Sequence, residues 1–126
     1  MGILATVGPD GPWAIPVSAL RRAAEDRVLL ALLRSRRSLA RLRDDPRVAL
    51  ALIGEGFSLT AHGPALVVAE PLPGAEFMAA VEVRAERLES TLGARTVIHS
   101  GIAWGWRDAG SDARHRQVLA ALDALD

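Results

Sequence analysis

The sequence predicts a mainly β domain with short helices: a small barrel of six strands followed by a C-terminal helix. Runs of strand length recur along the chain and outnumber the helical patterns. Turn residues punctuate them at Gly8-Pro9-Asp10-Gly11-Pro12, at Gly54-Glu55-Gly56 and at His62-Gly63-Pro64. The clearest helical stripe lies near the C-terminal end. With 126 residues the chain is expected to form one domain, residues 1–126. A chain of that length buries roughly two-thirds of its unfolded surface, enough for one core.

Residues 3–7 are strand-like and end at a Pro-Asp-Gly turn. Residues 13–20 follow as a second strand, so the pair reads as a hairpin with a longer loop. Pro16 lacks a ladder donor, which places an edge or a bulge there. Residues 21–26 read as a polar break. Residues 27–33 are almost continuously apolar, the pattern of a buried strand. Residues 35–45 predict a helix of two to three turns. Ser35 or Ser38 is its candidate N-cap, Leu39, Ala40 and Leu42 form its stripe, and Pro46 stops it.

Residues 47–53 and 57–70 predict two more strands. The second is interrupted by His62-Gly63-Pro64, the mark of a bulge or a sharp bend at a barrel corner. Residues 75–92 read two ways. Val81, Val83 and Ala85 alternate with Glu82, Arg84 and Glu86 as in a strand. Phe77, Val81, Ala85, Leu88 and Leu92 fit one face of a helix. The longer stripe, bracketed by Pro73-Gly74 and Gly93, favours the helix. Residues 96–106 predict the sixth strand, with Trp104 and Trp106 on one face. Residues 111–125 predict a helix capped by Ser111, with a stripe of Val118, Leu119, Leu122 and Leu125.

Composition narrows the function classes. Fifteen basic and fifteen acidic residues cancel, so no global charge points to nucleic acid. Every basic residue is arginine, which excludes a Schiff-base lysine and a P-loop. The absence of cysteine excludes disulfides, a thiolate nucleophile and a cysteine metal site. No apolar run approaches the ~20 residues of a membrane span, so no membrane partner is expected. Met1-Gly2-Ile3 has no basic leader region, and the chain is expected to be cytoplasmic.

The segment RSRRSLAR, residues 34–41, crowds Arg34, Arg36 and Arg37 around a helix start. Cations there oppose the helix dipole, by roughly 0.3–1 kcal/mol each when exposed. A phosphate on the free N–H groups reverses that penalty, guanidinium forks add bidentate contacts, and serine hydroxyls add more. The alternative is an arginine-rich solvated helix. His62, His99 and His115 lack the spacing of a metal pair and read as ordinary strand or surface residues, and no metal site is expected. The hydrolase signature G-x-S-x-G is absent. Trp104 and Trp106 flank Gly105, either packing in a core or interface or covering a planar ligand.

Three stretches, LATVGPDGPWAIPVSAL, LLALLRSRRSLARLRDDPRVALALI and SLTAHGPALVVAE, together resemble the pyridoxamine 5'-phosphate oxidase-like family, the FMN-binding split β-barrels. The resemblance covers about residues 3 to 70. It implies a six-stranded split barrel, a homodimer and a flavin in the subunit interface. Many relatives carry a helix before the first strand, so the resemblance implies a preceding segment or another closure of the barrel. It places the Pro16-Val17 strand along the flavin ring with Leu32 and Leu33. It places the FMN phosphate at the strand-to-helix junction, on Arg36 with Arg34 and Arg37 nearby. Ser38 stands where relatives carry a lysine. Trp104 and Trp106 would close the site. The implied activity is that of an FMN-dependent oxidoreductase whose catalytic side chains and substrate the sequence does not name. The alternatives are a non-catalytic split-barrel binding protein, or one using F420 or haem.

Overall fold

The structure, a computed structural model, describes residues 1–125. Strands β1 (Gly2–Gly8) and β2 (Gly11–Val17) form the expected hairpin, in register from Gly2 opposite Val17 to Gly8 opposite Gly11. Gly11 turns the chain with φ +105°, a conformation side-chain-bearing residues rarely adopt. Strand β3 (Leu20–Ala24) pairs with β4 (Arg27–Leu33). Helix α1 (Arg37–Asp44) then leads into β5 (Arg47–Gly54), β6 (Phe57–Ala69), β7 (Met78–Arg84), β8 (Arg87–Ser90) and helix α2 (Ala109–Leu125).

All pairings are antiparallel. The sheet runs β2-β1-β5-β6-β7-β4-β3, with β8 on β6. It has eight strands rather than six, and it is not closed: β2 and β3 are its ends. The mainly antiparallel sheet with a C-terminal helix is consistent with a split barrel.

Two of the eight strands occupy the segment expected to be a helix. Residues 75–92 contain β7 and β8, so the period-two pattern is the one realised. Val81 and Val83 enter one core and Met78 and Ala80 the other, and β7 pairs on both sides with β4 and β6. Ladders on both edges satisfy the backbone without helical bonds. Gly74, with φ +90°, belongs to a turn rather than a helix start. β3 occupies most of the expected polar break. Arg21 and Arg22 face outward on this end strand, where charge is normal, and Arg21 pairs with Asp123 of α2 at 3.1 Å. Residues 91–106, which include the expected sixth strand, form neither strand nor helix. Gly56 N–H donates to the Ile98 carbonyl at 2.9 Å, and Gly101 lies against the backbone at Ile53.

β6 supplies the bend its sequence announces. Its first half pairs with β5 and β8, its second with β7. At the change of partner, a Cβ on Gly63 would overlap the Arg84 carbonyl oxygen. Only glycine permits that approach.

Two cores explain the apolar run of β4. Leu30 and Leu32 join Leu4, Leu50 and Val81 inside the sheet, while Leu29 and Ala31 face a second core with Leu72, Val118 and Leu122. The strand is covered on both faces because α2 lies over its outer side. α2 is fastened by Arg21–Asp123 and by Gln117 Nε2 donating to the Gly74 carbonyl at 2.7 Å. Asp108, not Ser111, caps it: the Asp108 carboxylate accepts from the Ser111 N–H at 2.6 Å.

Candidate functional site

The opening hairpin is held by a buried arginine of α1. Arg41 is 8% exposed. Its Nε donates to Thr6 Oγ1 at 3.0 Å, one terminal nitrogen to Asp10 at 2.7 Å and the other to the Gly11 carbonyl at 2.5 Å. Gly8 leaves room for it, since a Cβ there would fall 2.5 Å from the guanidinium. The hydrogen bond and charge of Arg41 hold the Asp10 carboxyl below its ordinary value. This staple fixes the turn end of the β1–β2 hairpin against the last turn of α1.

At the start of α1 the three arginines part. Arg34 turns to the 70–76 loop, 3.7 Å from Glu70 and donating to the Glu76 carbonyl at 3.5 Å. Arg37 lies over the Trp13 ring, 5.2 Å from its centroid. Arg36 has no ion pair or side-chain hydrogen bond among the described residues and lines a cleft of about 310 Å³. Neither Ser35 nor Ser38 caps α1. Arg36 occupies the N-cap position without a side-chain bond, and no acidic residue stands in the first turn. Ser38 is 1% exposed, and its hydroxyl is buried with no hydrogen-bond partner. An unsatisfied buried hydroxyl costs about 1–3 kcal/mol.

The cleft runs from the end of β2 across β4 to α2. Pro16, Val17, Leu32, Leu33, Arg36 and Trp106, all named from the sequence, line it together. Arg34, Arg37, Ser38 and Trp104 do not. Trp104 stands just behind, its ring 5.6 Å from Trp106 in a T-shaped contact, and His115 lies 5.5 Å from the first ring and 5.2 Å from the second.

Sequence reasoning missed Phe77, Met78, Ser111, Arg114, His115 and Val118. A signal existed for the last four: on α2 their spacing carries the Val118 stripe back to the helix start, where it turns polar. Phe77 and Met78 were hidden by the helical reading of 75–92. Burial lowers the pKa of His115 below its ordinary 6.5, with Asp112 opposing and Arg21 and the amino terminus adding to the shift. No carboxylate lines the cleft among the described residues, and none of them forms a metal-ligand cluster.

A family model described as pyridoxamine 5'-phosphate oxidase matches residues 1–107. The chain belongs to this family. The pyridoxamine 5'-phosphate oxidase match spans the sheet, α1 and the tryptophan segment, and stops before α2. No curated protein matches the chain. Among solved structures, HupZ of Group A Streptococcus is similar with TM-score 0.61 and 14% identity, over 79% of this chain and 89% of that one. General stress protein 26 of Bacillus anthracis gives 0.60 and 12%, over 71% and 81%. An F420 reductase gives 0.58 and 18%, over 70% and 87%. At these identities the likeness is one of fold. No helix among the described residues is long and apolar enough to cross a membrane.

Proposed function

We propose that this chain binds a phosphate-bearing redox cofactor, FMN, at the entrance of α1, and acts as a cytoplasmic oxidoreductase on a small molecule. The observation that carries the reading is Arg36: alone of the three junction arginines it has no partner among the described residues, and it lines the cleft. The residues present fit the group. Arg36 and the uncapped first turn offer donors to an anion, the buried Ser38 hydroxyl lacks an acceptor, and Pro16, Val17, Leu32 and Leu33 offer an apolar wall to a ring. When bound, the flavin supplies hydride and electron transfer. The chain's own residues bind and orient it and keep water from the ring.

A homodimer is part of the proposal. The cleft of about 310 Å³ lies at the small end of ligand pockets. Large apolar side chains stand exposed around the open sheet and the 97–106 segment, among them Leu33, Phe57, Val97 and Ile102. A second copy covering them would enlarge and close the site.

F420 is the second reading, favoured by Ser38 standing where a cation is expected and by the similarity of fold to an F420 reductase. Haem is a further form of it, and a cofactor-free binding protein a third. The absorption spectrum of the purified protein separates them. A flavin spectrum supports the proposal, and a deazaflavin or haem spectrum replaces FMN. A colourless protein whose melting temperature responds to neither FMN nor F420 removes it.

A further inference from the structure

Residues 99–107 carry neither helix nor strand, and they make no hydrogen bond or ion pair among the described residues. The chain before them is anchored. The Thr91 N–H donates to the Ser58 carbonyl at 2.8 Å, the two hydroxyls lie 2.6 Å apart, and the Gly56 N–H donates to the Ile98 carbonyl. Gly101 then sits so close to the Ile53 carbonyl that a Cβ would overlap it. The chain after them is anchored by the Asp108 cap of α2. Between these points residues 103–107 are exposed and held by aromatic contact. Trp104 and Trp106 meet each other edge-on, and both meet His115. At Gly105 nothing stands within 4 Å of where a Cβ would be, so the backbone there is unobstructed.

A segment with exposed backbone and few apolar contacts opens at small cost relative to the sheet around it. Here the rings that hold the segment also bound the cleft. Trp106 and His115 both line it, while Trp104 does not. Releasing the rings from His115 therefore takes one wall off the cleft. We propose that residues 103–107 are a lid on the cleft, latched by Trp104 and Trp106 on His115, which opens to admit the cofactor and closes behind it. The inference rests on the proposed function in naming FMN as the guest; the lid itself rests on the two anchors and the latch. Val97 and Ile102, given above to a second copy, precede the lid.

The test uses chymotrypsin on the full chain, with the products read by mass. The protease must take the Trp106 ring into its own pocket, so cleavage after Trp106 reports the open population. Trp104→Ala removes half of the latch and leaves the cleft lining intact. It should speed cleavage after Trp106 at least about tenfold, with cleavage after Leu92, outside the lid, at the parent rate. Trp104→Phe should stay near the parent. Saturating FMN should slow the Trp106 cut in the parent. In stopped-flow mixing, the parent's observed rate of FMN binding should level off as FMN rises, because opening limits it. Cleavage after Trp106 no faster in Trp104→Ala overturns the lid. So does cleavage after Leu92 rising in step with it, which marks loosening of the whole domain, or an FMN binding rate that climbs without a ceiling. A Trp104-dependent cut in a protein whose cleavage and melting temperature ignore FMN sinks the cofactor proposal and leaves the lid. FMN uptake with no effect of Trp104→Ala does the reverse.

Discussion

Replacing Arg41 with alanine should destabilise the protein more than replacing any other arginine of α1. Arg41 makes three hydrogen bonds from a charged donor to three points of the hairpin, and its guanidinium lies against Gly8 and 5.9 Å from the Trp13 ring centroid. A hydrogen bond to a charged group contributes about 1.5–3 kcal/mol. The three are not additive, because Asp10 and the Gly11 carbonyl can turn to water once the guanidinium is gone. Only Thr6 is left fully buried, and its hydroxyl keeps a long bond to the Trp13 carbonyl at 3.4 Å. The expected loss is thus about 2–4 kcal/mol, larger than a surface ion pair and smaller than a stranded buried charge. For a domain of this size that lowers Tm by roughly 8–16 °C. Calorimetry or circular dichroism melts measure it, with Arg43→Ala as a control, since Arg43 pairs with Glu70 in the open and should change little. A Tm for Arg41→Ala within about 2 °C of the parent would refute the staple.

Other predictions follow from the packing and from the histidine. Gly63→Ala should cost about 1–3 kcal/mol or prevent folding, because a methyl group there meets the Arg84 backbone, which has no rotamer to move; a melt within error of the parent would mean β6 and β7 are not so close. His115 should titrate below 6.5 in a proton-detected NMR titration, because burial disfavours its charged form. The folded state holds that proton more weakly than the unfolded chain, so its contribution to stability is complete above pH 6.5 and is lost as pH falls below it toward the lower folded value. The stability difference between the parent and His115→Gln should therefore be flat above 6.5 and change below it; a difference that changes only above that pH would reverse the assignment.

How much was legible in the sequence divides by the kind of signal. Hairpin, buried strand and bent strand carried their causes locally: Gly11 and Asp10 in a turn, apolar residues at every position of β4 after Arg27, Gly63 at a close approach. The strands of residues 75–92 were less legible because alanine and valine there serve two cores, so a helical stripe and an alternation coexist in the same letters. What decides between them is the ladder to β4 and β6, whose paired residues lie 45–57 and 11–18 positions away in the chain. Residues 96–106 have strand-like composition, yet β5 and β6 already pair along both flanks, and the tryptophans pack on His115 instead. In the candidate site, the arginine cluster was visible as charge, but its division into one free and two engaged guanidiniums was not. That division depends on Glu70 and Trp13, which only the fold brings near. Arg114 and His115 continue the Val118 stripe of α2 by their spacing, but that spacing does not reveal that Phe77 lies beside them, which only the fold brings near.

The central claim, an anion docked at the α1 entrance, is tested most directly by comparing FMN with riboflavin, which shares the ring and lacks the phosphate. Calorimetric titration of the parent should give FMN at least roughly tenfold the affinity of riboflavin, and Arg36→Ala should remove most of that advantage. Equal affinities for the two flavins, or an FMN advantage that Arg36→Ala leaves intact, would contradict it.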